Sequence, residues 1–165
     1  MLTEQGGCCN RFVEETFPGE QSTVYASWWI LFGPGYKFET TAGIMKLAYF
    51  YSTANPGVSY LNCNGVTATG CALKFFTDQG ASLLCKDYNQ WTPLDNNWHH
   101  LEVLLDSAGN DVTVWLDGAV TSCNNSPALQ GAPYWEIKLG QYYNGAVPAN
   151  DYLYLDDVVL GAGRP

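Results

Sequence analysis

The segment from Asn96 to Gly118 constrains the fold more than any other part of the chain, because its pattern is that of two strands joined by a tight turn. Apolar and polar side chains alternate on both sides of the turn, with the period of a half-buried strand. Between the two runs, Ser107-Ala-Gly-Asn110 has the composition of a hairpin turn. The apolar row of this hairpin comprises Leu101, Val103, Leu105, Val112, Val114 and Leu116. Such a row must pack against a second layer.

Other short runs of strand-forming residues follow at regular spacing, separated by turn residues. They cover residues 22–32, 44–52, 72–77, 82–86, 135–139 and 152–160, with a brief pairing at 58–62 and an entry strand around Arg11-Phe-Val13 that ends in a turn at Pro18-Gly19. The alternation in 44–52 groups Leu47, Tyr49 and Tyr51 against Lys46, Ala48 and Phe50, but it does not decide which group faces inward. The pattern predicts an antiparallel all-β sandwich, of either immunoglobulin-like or jelly-roll topology.

Length and composition set the class of protein. A chain of 165 residues is long enough for one domain with a full core, so we expect a single domain over residues 1–165. No apolar run approaches the roughly 20 residues that cross a bilayer as a helix. Aromatic residues make up 15% of the chain, including six Trp and eleven Tyr, and such side chains can stack on sugar rings.

The charge balance argues against nucleic acid as a partner. Seven Lys and Arg against sixteen Asp and Glu give a net charge of −9, which repels nucleic acid and anionic membranes. The same charge disfavours a strongly anionic glycan, unless a local basic groove exists. Lys46, Lys74 and Lys138 are the candidates for such a groove on mid-chain strands.

Six cysteines favour an oxidising compartment, so we expect an extracellular, cell-surface or virion-associated protein. Cys63 and Cys71 bracket a polar loop and are the best candidates for a local disulfide. Cys8 and Cys9 would pair with distant partners such as Cys85 and Cys123, although the connectivity stays open. The first seven residues lack the features of a signal peptide, so we expect a mature or excised domain, or another export route. No spacing typical of a zinc site occurs.

Three parts of the chain resemble the concanavalin A-like and laminin-G-like jelly-roll superfamily. Trp98-His-His-Leu-Glu102 with Val114-Trp-Leu-Asp-Gly118 resembles its central hairpin. Residues 24–38 with Gly43-Ile-Met-Lys-Leu47 are similar to early strands of its polysaccharide-lyase-like branch, and residues 139–145 with 152–160 are similar to the closing strands. The resemblance implies two antiparallel sheets with one open concave face. The superfamily contains lectins, carbohydrate-binding modules and polysaccharide lyases.

A lyase of this shape would need a base and a group that neutralises a uronate carboxylate. On this resemblance the candidates are His100, Gln141, Tyr142 and Tyr143. The altered Gly43–Leu47 motif, the acidic balance and the presence of arginine only at positions 11 and 164 argue against catalysis. A glycosidase Glu-x-Asp-x-Glu pattern is absent from the sequence.

Carbohydrate binding requires less: aromatic platforms and polar groups on one open face. Strand parity places His99 inside and His100 outside with Glu102 and Trp115. The predicted binding residues are His100, Glu102, Trp115, Tyr49, Tyr51, Lys138, Gln141, Tyr142 and Asn144. No cofactor is expected, and Asp156 and Asp157 are weak candidates for a structural Ca²⁺ site.

The sequence therefore favours a non-catalytic, lectin-like surface module whose partner is a glycan. One alternative is a structural jelly-roll module of a virion, fibre or extracellular filament, which would self-associate or assemble with other surface proteins. The second is a polysaccharide lyase acting on uronate-containing glycans.

Overall fold

A computed structural model describes residues 2–5, 12–38, 43–53, 57–77, 82–84, 90–120, 133–143 and 152–165. The described residues form twelve strands: β1 (Leu2–Gln5), β2 (Val13–Gln21), β3 (Thr23–Phe32), β4 (Ile44–Ser52), β5 (Val58–Asn64), β6 (Ala72–Thr77), β7 (Ser82–Leu84), β8 (His99–Asp106), β9 (Asp111–Leu116), β10 (Ala119–Val120), β11 (Tyr134–Tyr143) and β12 (Tyr152–Gly161).

The strands make two six-stranded antiparallel sheets. The first sheet has the order β1-β12-β3-β8-β9-β10, and the second has the order β2-β11-β4-β5-β6-β7. The first and last strands of the chain lie side by side, while β3 and β4 belong to different sheets, so the chain crosses repeatedly between the layers. This architecture confirms the predicted all-β, antiparallel, two-sheet jelly-roll sandwich.

The core lies between the two sheets. The apolar row predicted for the β8–β9 hairpin is almost completely buried there, because it meets the inward side chains of the second sheet. Trp28, Ile30 and Phe32 from β3 supply the largest side chains of the first sheet. The second sheet contributes Met45, Leu47, Ala48, Phe50, Leu61, Leu73, Phe75, Ile137 and Leu139. The outward face of each sheet is therefore left for other roles.

A β-bulge in β4 corrects the alternation expected for that strand. Lys46 pairs with Asn62, whereas Ala48 pairs with Leu61, so Leu47 is an extra residue opposite β5. Leu47 consequently shares the inward face with Ala48, and Lys46 shares the outward face with Tyr49. The sequence grouping of Leu47 with Tyr49 was wrong, because simple alternation does not count an inserted residue.

The predicted turn at Pro18-Gly19 was also wrong, because both residues lie inside β2. This strand is at the edge of the second sheet, where a proline need not donate a ladder hydrogen bond. The register against β11 shifts between Gln21 and Thr16, so the intervening residues lie in an irregular part of the pairing.

The disulfide predicted between Cys63 and Cys71 is present and links the end of β5 to the residue before β6. Cys71 also exchanges two backbone hydrogen bonds with Trp91, of 2.9 and 2.7 Å. Gly70 permits this approach, since a Cβ at that position would lie 2.0 Å from the Trp91 carbonyl oxygen. Cys8, Cys9, Cys85 and Cys123 lie outside the described residues.

Candidate functional site

An aromatic row crosses the outward face of the second sheet. Tyr49, Tyr60 and Phe76 are directly paired neighbours on β4, β5 and β6, so their side chains emerge side by side. The ring centroids of Tyr60 and Phe76 are 5.9 Å apart and the rings are nearly parallel, and those of Tyr49 and Tyr60 are 6.3 Å apart. Tyr51 stacks beside Tyr49 at 6.0 Å and contacts Trp135 at the same distance. The result is a continuous aromatic surface.

Packing holds this surface in place. Tyr49 is only 8% exposed, and the ring of Phe12 meets it edge-on at 5.7 Å. The Lys46 ammonium lies 4.7 Å from the centroid of the Tyr60 ring. Tyr51, Tyr60 and Phe76 are half-buried, so part of each ring remains on the surface. Rings fixed by neighbours lose little conformational entropy when a ligand stacks on them.

A polar row runs beside the aromatic row. Lys46, Asn62 and Lys74 are paired neighbours on the same three strands. Asn62 is 1% exposed, yet among the described residues neither its amide nitrogen nor its amide oxygen has a hydrogen-bond partner. Buried polar side chains without partners are uncommon in folded proteins and cost free energy. Two lysines flanking such an amide form a site suited to an anionic group.

Lys138, the third predicted lysine, lies on the same face but is paired. Its ammonium is 3.2 Å from the carboxylate of Glu14 and 3.4 Å from that of Glu136. Although burial lowers the pKa of Lys138, hydrogen bonds to these two carboxylates raise it above its ordinary value. For Lys74, by contrast, no ion pair exists among the described residues. Lys74 is therefore the lysine of this face whose charge no carboxylate compensates within the described segments.

A concavity of about 390 Å³ adjoins Lys74 at the end of the β5–β6 hairpin. Its polar lining includes Asn64, Thr67, Gln90 and Thr92. The Cys63–Cys71 disulfide spans the loop that forms one wall. Lys74 belongs both to the polar row and to the lining of this concavity.

His100, Glu102 and Trp115 lie on the outward face of the first sheet, on the opposite side of the sandwich. The carboxylate of Glu102 accepts a hydrogen bond from the Tyr25 hydroxyl at 2.5 Å and pairs with Arg164 at 3.1 Å. Burial raises the pKa of Tyr25 above its ordinary value, and the hydrogen bond to Glu102 raises it further. The Arg164 guanidinium lies 4.5 Å from the centroid of the Trp115 ring. These groups already satisfy one another.

The nine residues predicted to bind carbohydrate therefore do not form one site. Tyr49, Tyr51 and Lys138 share the outward face of the second sheet. Gln141 is 6% exposed, and its amide oxygen accepts a hydrogen bond of 2.8 Å from Tyr36, so it is engaged within the protein. The backbone position of Tyr142 lies in β11, as does that of Tyr143, which was predicted only as a lyase candidate. Asn144 lies outside the described residues.

His99 occupies the interlayer position that strand parity predicts. Its ring nitrogens lie 2.9 Å from Asp117 and 3.2 Å from Asp95, and its ring meets Trp91 edge-on. Hydrogen bonds from Asn97 lower the pKa of Asp95, and His99 lowers it further. These contacts indicate a structural histidine that ties the start of β8 to neighbouring loops.

The sequence prediction missed Tyr60, Asn62 and Phe76. Residues 58–62 were expected to pair only briefly, yet β5 is an internal strand of the second sheet. The buried partners Leu61 and Cys63 alternate with Tyr60 and Asn62, which is a signal that the sequence contains. What the sequence does not contain is the register that aligns β4, β5 and β6.

Within the described part of the chain, no group of three or more His, Cys, Asp or Glu residues could hold a metal ion. Asp156 and Asp157, the weak Ca²⁺ candidates, line a pocket with Trp29 and Trp98 on the first sheet. The described segments likewise include no helix with the length and apolar character of a membrane span.

Solved structures of similar fold include an alginate lyase from Pseudomonas aeruginosa, with a TM-score of 0.59 and 10% identity over 86% of this chain and 65% of that one. The fold is that of a concanavalin A-like jelly roll. A tetrameric galectin from the sponge Cinachyrella has a TM-score of 0.58 and 9% identity, covering 91% of this chain and 99% of that one. A marine alginate lyase from Zobellia galactanivorans has a TM-score of 0.57 and 12% identity, covering 90% and 64%.

The chain thus spans just under two thirds of the length of these two lyases. No protein-family model matches the sequence, and no curated protein matches it. The similarity shows the jelly-roll fold.

Proposed function

We propose that this protein binds carbohydrate without catalysing a reaction, through the outward face of the second sheet. The observation that carries the proposal is the aromatic row of Tyr49, Tyr60 and Phe76 running beside the polar row of Lys46, Asn62 and Lys74. Sugar rings have apolar faces that stack on aromatic side chains, and hydroxyl or carboxylate groups at their edges. The aromatic row can stack on the apolar face of a sugar ring, and the polar row can bind the groups at its edge.

The polar row favours a glycan that carries carboxylate or sulfate groups. An ammonium group on each side of Asn62 provides positive charge for such anionic groups. The overall charge of −9 opposes long-range attraction of a polyanion. Binding should therefore depend on close contacts and should weaken less with added salt than binding to a broadly basic surface.

A glycan array that identifies a ligand, followed by titration calorimetry that measures its affinity, tests the proposal. Tyr60→Ala removes the central ring and should weaken binding about tenfold or more, because a lost aromatic contact of about 1.5 kcal/mol corresponds to that factor. Trp115→Ala is the matched control, since it removes an aromatic ring from the opposite face. Equal losses in the two variants, or unchanged binding by Tyr60→Ala, would contradict the assignment to this face.

A polysaccharide lyase is the second candidate, because Tyr142 pairs with Lys46 in the register of β11 and β4. The backbone of a candidate base thus lies in line with the polar row. Incubation with uronate polymers, followed by ultraviolet absorbance of the unsaturated product, separates the two functions. We expect no increase. An increase that Tyr142→Phe abolishes would establish the lyase.

We also propose an extracellular, cell-surface or virion-associated location, supported by the Cys63–Cys71 disulfide. A structural role in a virion, fibre or filament is the alternative. Sedimentation analysis distinguishes it, because an assembly module should form stable oligomers at micromolar concentration in the absence of glycan. A monomer that binds glycan would support the proposal.

A further inference from the structure

A second pocket lies on the outward face of the first sheet, on the side of the sandwich opposite the proposed glycan face. It has a volume of about 260 Å³ and is lined by Trp29, Trp98, Asp156 and Asp157. Trp29 belongs to β3, Trp98 directly precedes β8, and the two aspartates belong to β12. These three strands are neighbours in the sheet, so the pocket has a rigid floor.

Trp29 is an exposed but well-fixed aromatic platform. Trp29 is 37% exposed, which is unusual for a large apolar residue. The imidazole of His100 stacks against the indole with centroids 4.8 Å apart and an angle of 19° between the planes. A contact of 2.8 Å between His100 Nε2 and Ser27 Oγ holds that imidazole. One side of the indole is backed by protein while part of the ring stays accessible.

A β-bulge in β12 places two consecutive carboxylates at this pocket. Asp156 pairs directly with Trp29, and the register then shifts before Val159 pairs with Ser27. Asp157 has a φ of 46°, in the left-handed region. In a regular strand, adjacent side chains face opposite sides, so Asp157 would have pointed into the core. The bulge instead brings both carboxylates beside the indoles.

The chemistry of these four side chains is selective. Ionised carboxylates only accept hydrogen bonds and carry negative charge, whereas an ammonium group only donates and carries positive charge. Indole is the most favourable aromatic partner for a cation. The guanidinium of Arg164, on the same sheet face, is already paired with Glu102 and so does not neutralise the aspartates. We propose that this pocket binds a small organic ammonium ion.

Titration with tetramethylammonium chloride tests the proposal, observed through the indole N–H signals of ¹⁵N-labelled protein. We expect saturable shifts of the Trp29 and Trp98 signals, with the other four tryptophans nearly unchanged. Sodium chloride at matched ionic strength should not reproduce them. N-acetyl-lysine methyl ester in a parallel titration distinguishes a protein-borne primary ammonium from a quaternary one, and saturable binding of either supports the proposal.

Variants establish the site. Trp29→Leu should weaken binding about tenfold or more, and Asp156→Asn with Asp157→Asn should weaken it several-fold while leaving the fold intact. Glu15→Gln removes one negative charge from the second sheet and should leave the affinity unchanged. The proposal would be overturned by chemical shifts that increase linearly without saturating, or by shifts of indoles other than Trp29 and Trp98. It would also be overturned if Glu15→Gln weakened ammonium binding as much as the site variants do, or if neutral methyl glucoside bound more tightly than the ammonium ion. Because the glycan face lies on the other sheet, Tyr60→Ala should not affect ammonium binding.

Discussion

Replacing Asn62 by valine should make the protein more stable. Asn62 is 1% exposed, and within the described part of the chain neither amide atom has a hydrogen-bond partner, so folding removes the amide from water without compensation. Such a group costs about 1–3 kcal/mol, and valine suits a strand of similar burial. A gain of about 2 kcal/mol with an m-value of about 2 kcal/mol/M moves the urea midpoint upward by about 1 M.

Urea unfolding followed by far-ultraviolet circular dichroism measures the stability change. Thr77→Val is a parallel test, because the Thr77 hydroxyl is also buried without a partner among the described residues, on the inward face of β6. It should also raise stability. If Asn62→Val destabilised the protein by more than about 1 kcal/mol, the amide would have to be satisfied in the native state, and the reasoning would fail.

Three further changes test other parts of the structure. Burial raises the pKa of Tyr134 from 10.0 to about 12, so stability is complete below pH 10 and declines by about 1.4 kcal/mol per unit up to about pH 12; Tyr134→Phe should show a smaller decline in urea unfolding near pH 11. Arg164→Ala removes the ion pair with Glu102 and should lower the free energy of unfolding. The loss should be only about 1 kcal/mol, because Arg164 is half exposed and solvent screens the pair. An unchanged melting temperature would contradict this. Replacing Cys63 and Cys71 by alanine opens a loop with a sequence separation of 8 and should cost about 2–3 kcal/mol, with an unchanged urea midpoint as the contrary result.

The sequence was sufficient for the layers but not for the site. Alternation in β8 and β9 identified the buried row correctly, because each of those strands pairs regularly over its length. The same rule failed in β4, where the bulge at Leu47 changes the phase of the pattern midway. A single strand carries no sign of such an inserted residue, since it is defined only against a partner.

The distribution of site residues between two sheets was also beyond the sequence. His100, Trp115 and Tyr49 each face outward, as residue type suggests, but which sheet a strand joins depends on long-range pairing. From the sequence, Lys46, Lys74 and Lys138 could be predicted to form a basic group only if their strands shared one face. Their common face results from the neighbouring positions of β11, β4, β5 and β6.

The additional residue in β4 also determines which changes in chain length this protein tolerates. Deleting Leu47 would restore unbroken alternation, with Met45 and Ala48 still inward and Lys46 and Tyr49 still outward. The deletion would remove only the buried Leu47 side chain, so its cost would fall on the core and not on the ligand surface. Natural variants that lack this residue should therefore be less stable but keep the same outward face.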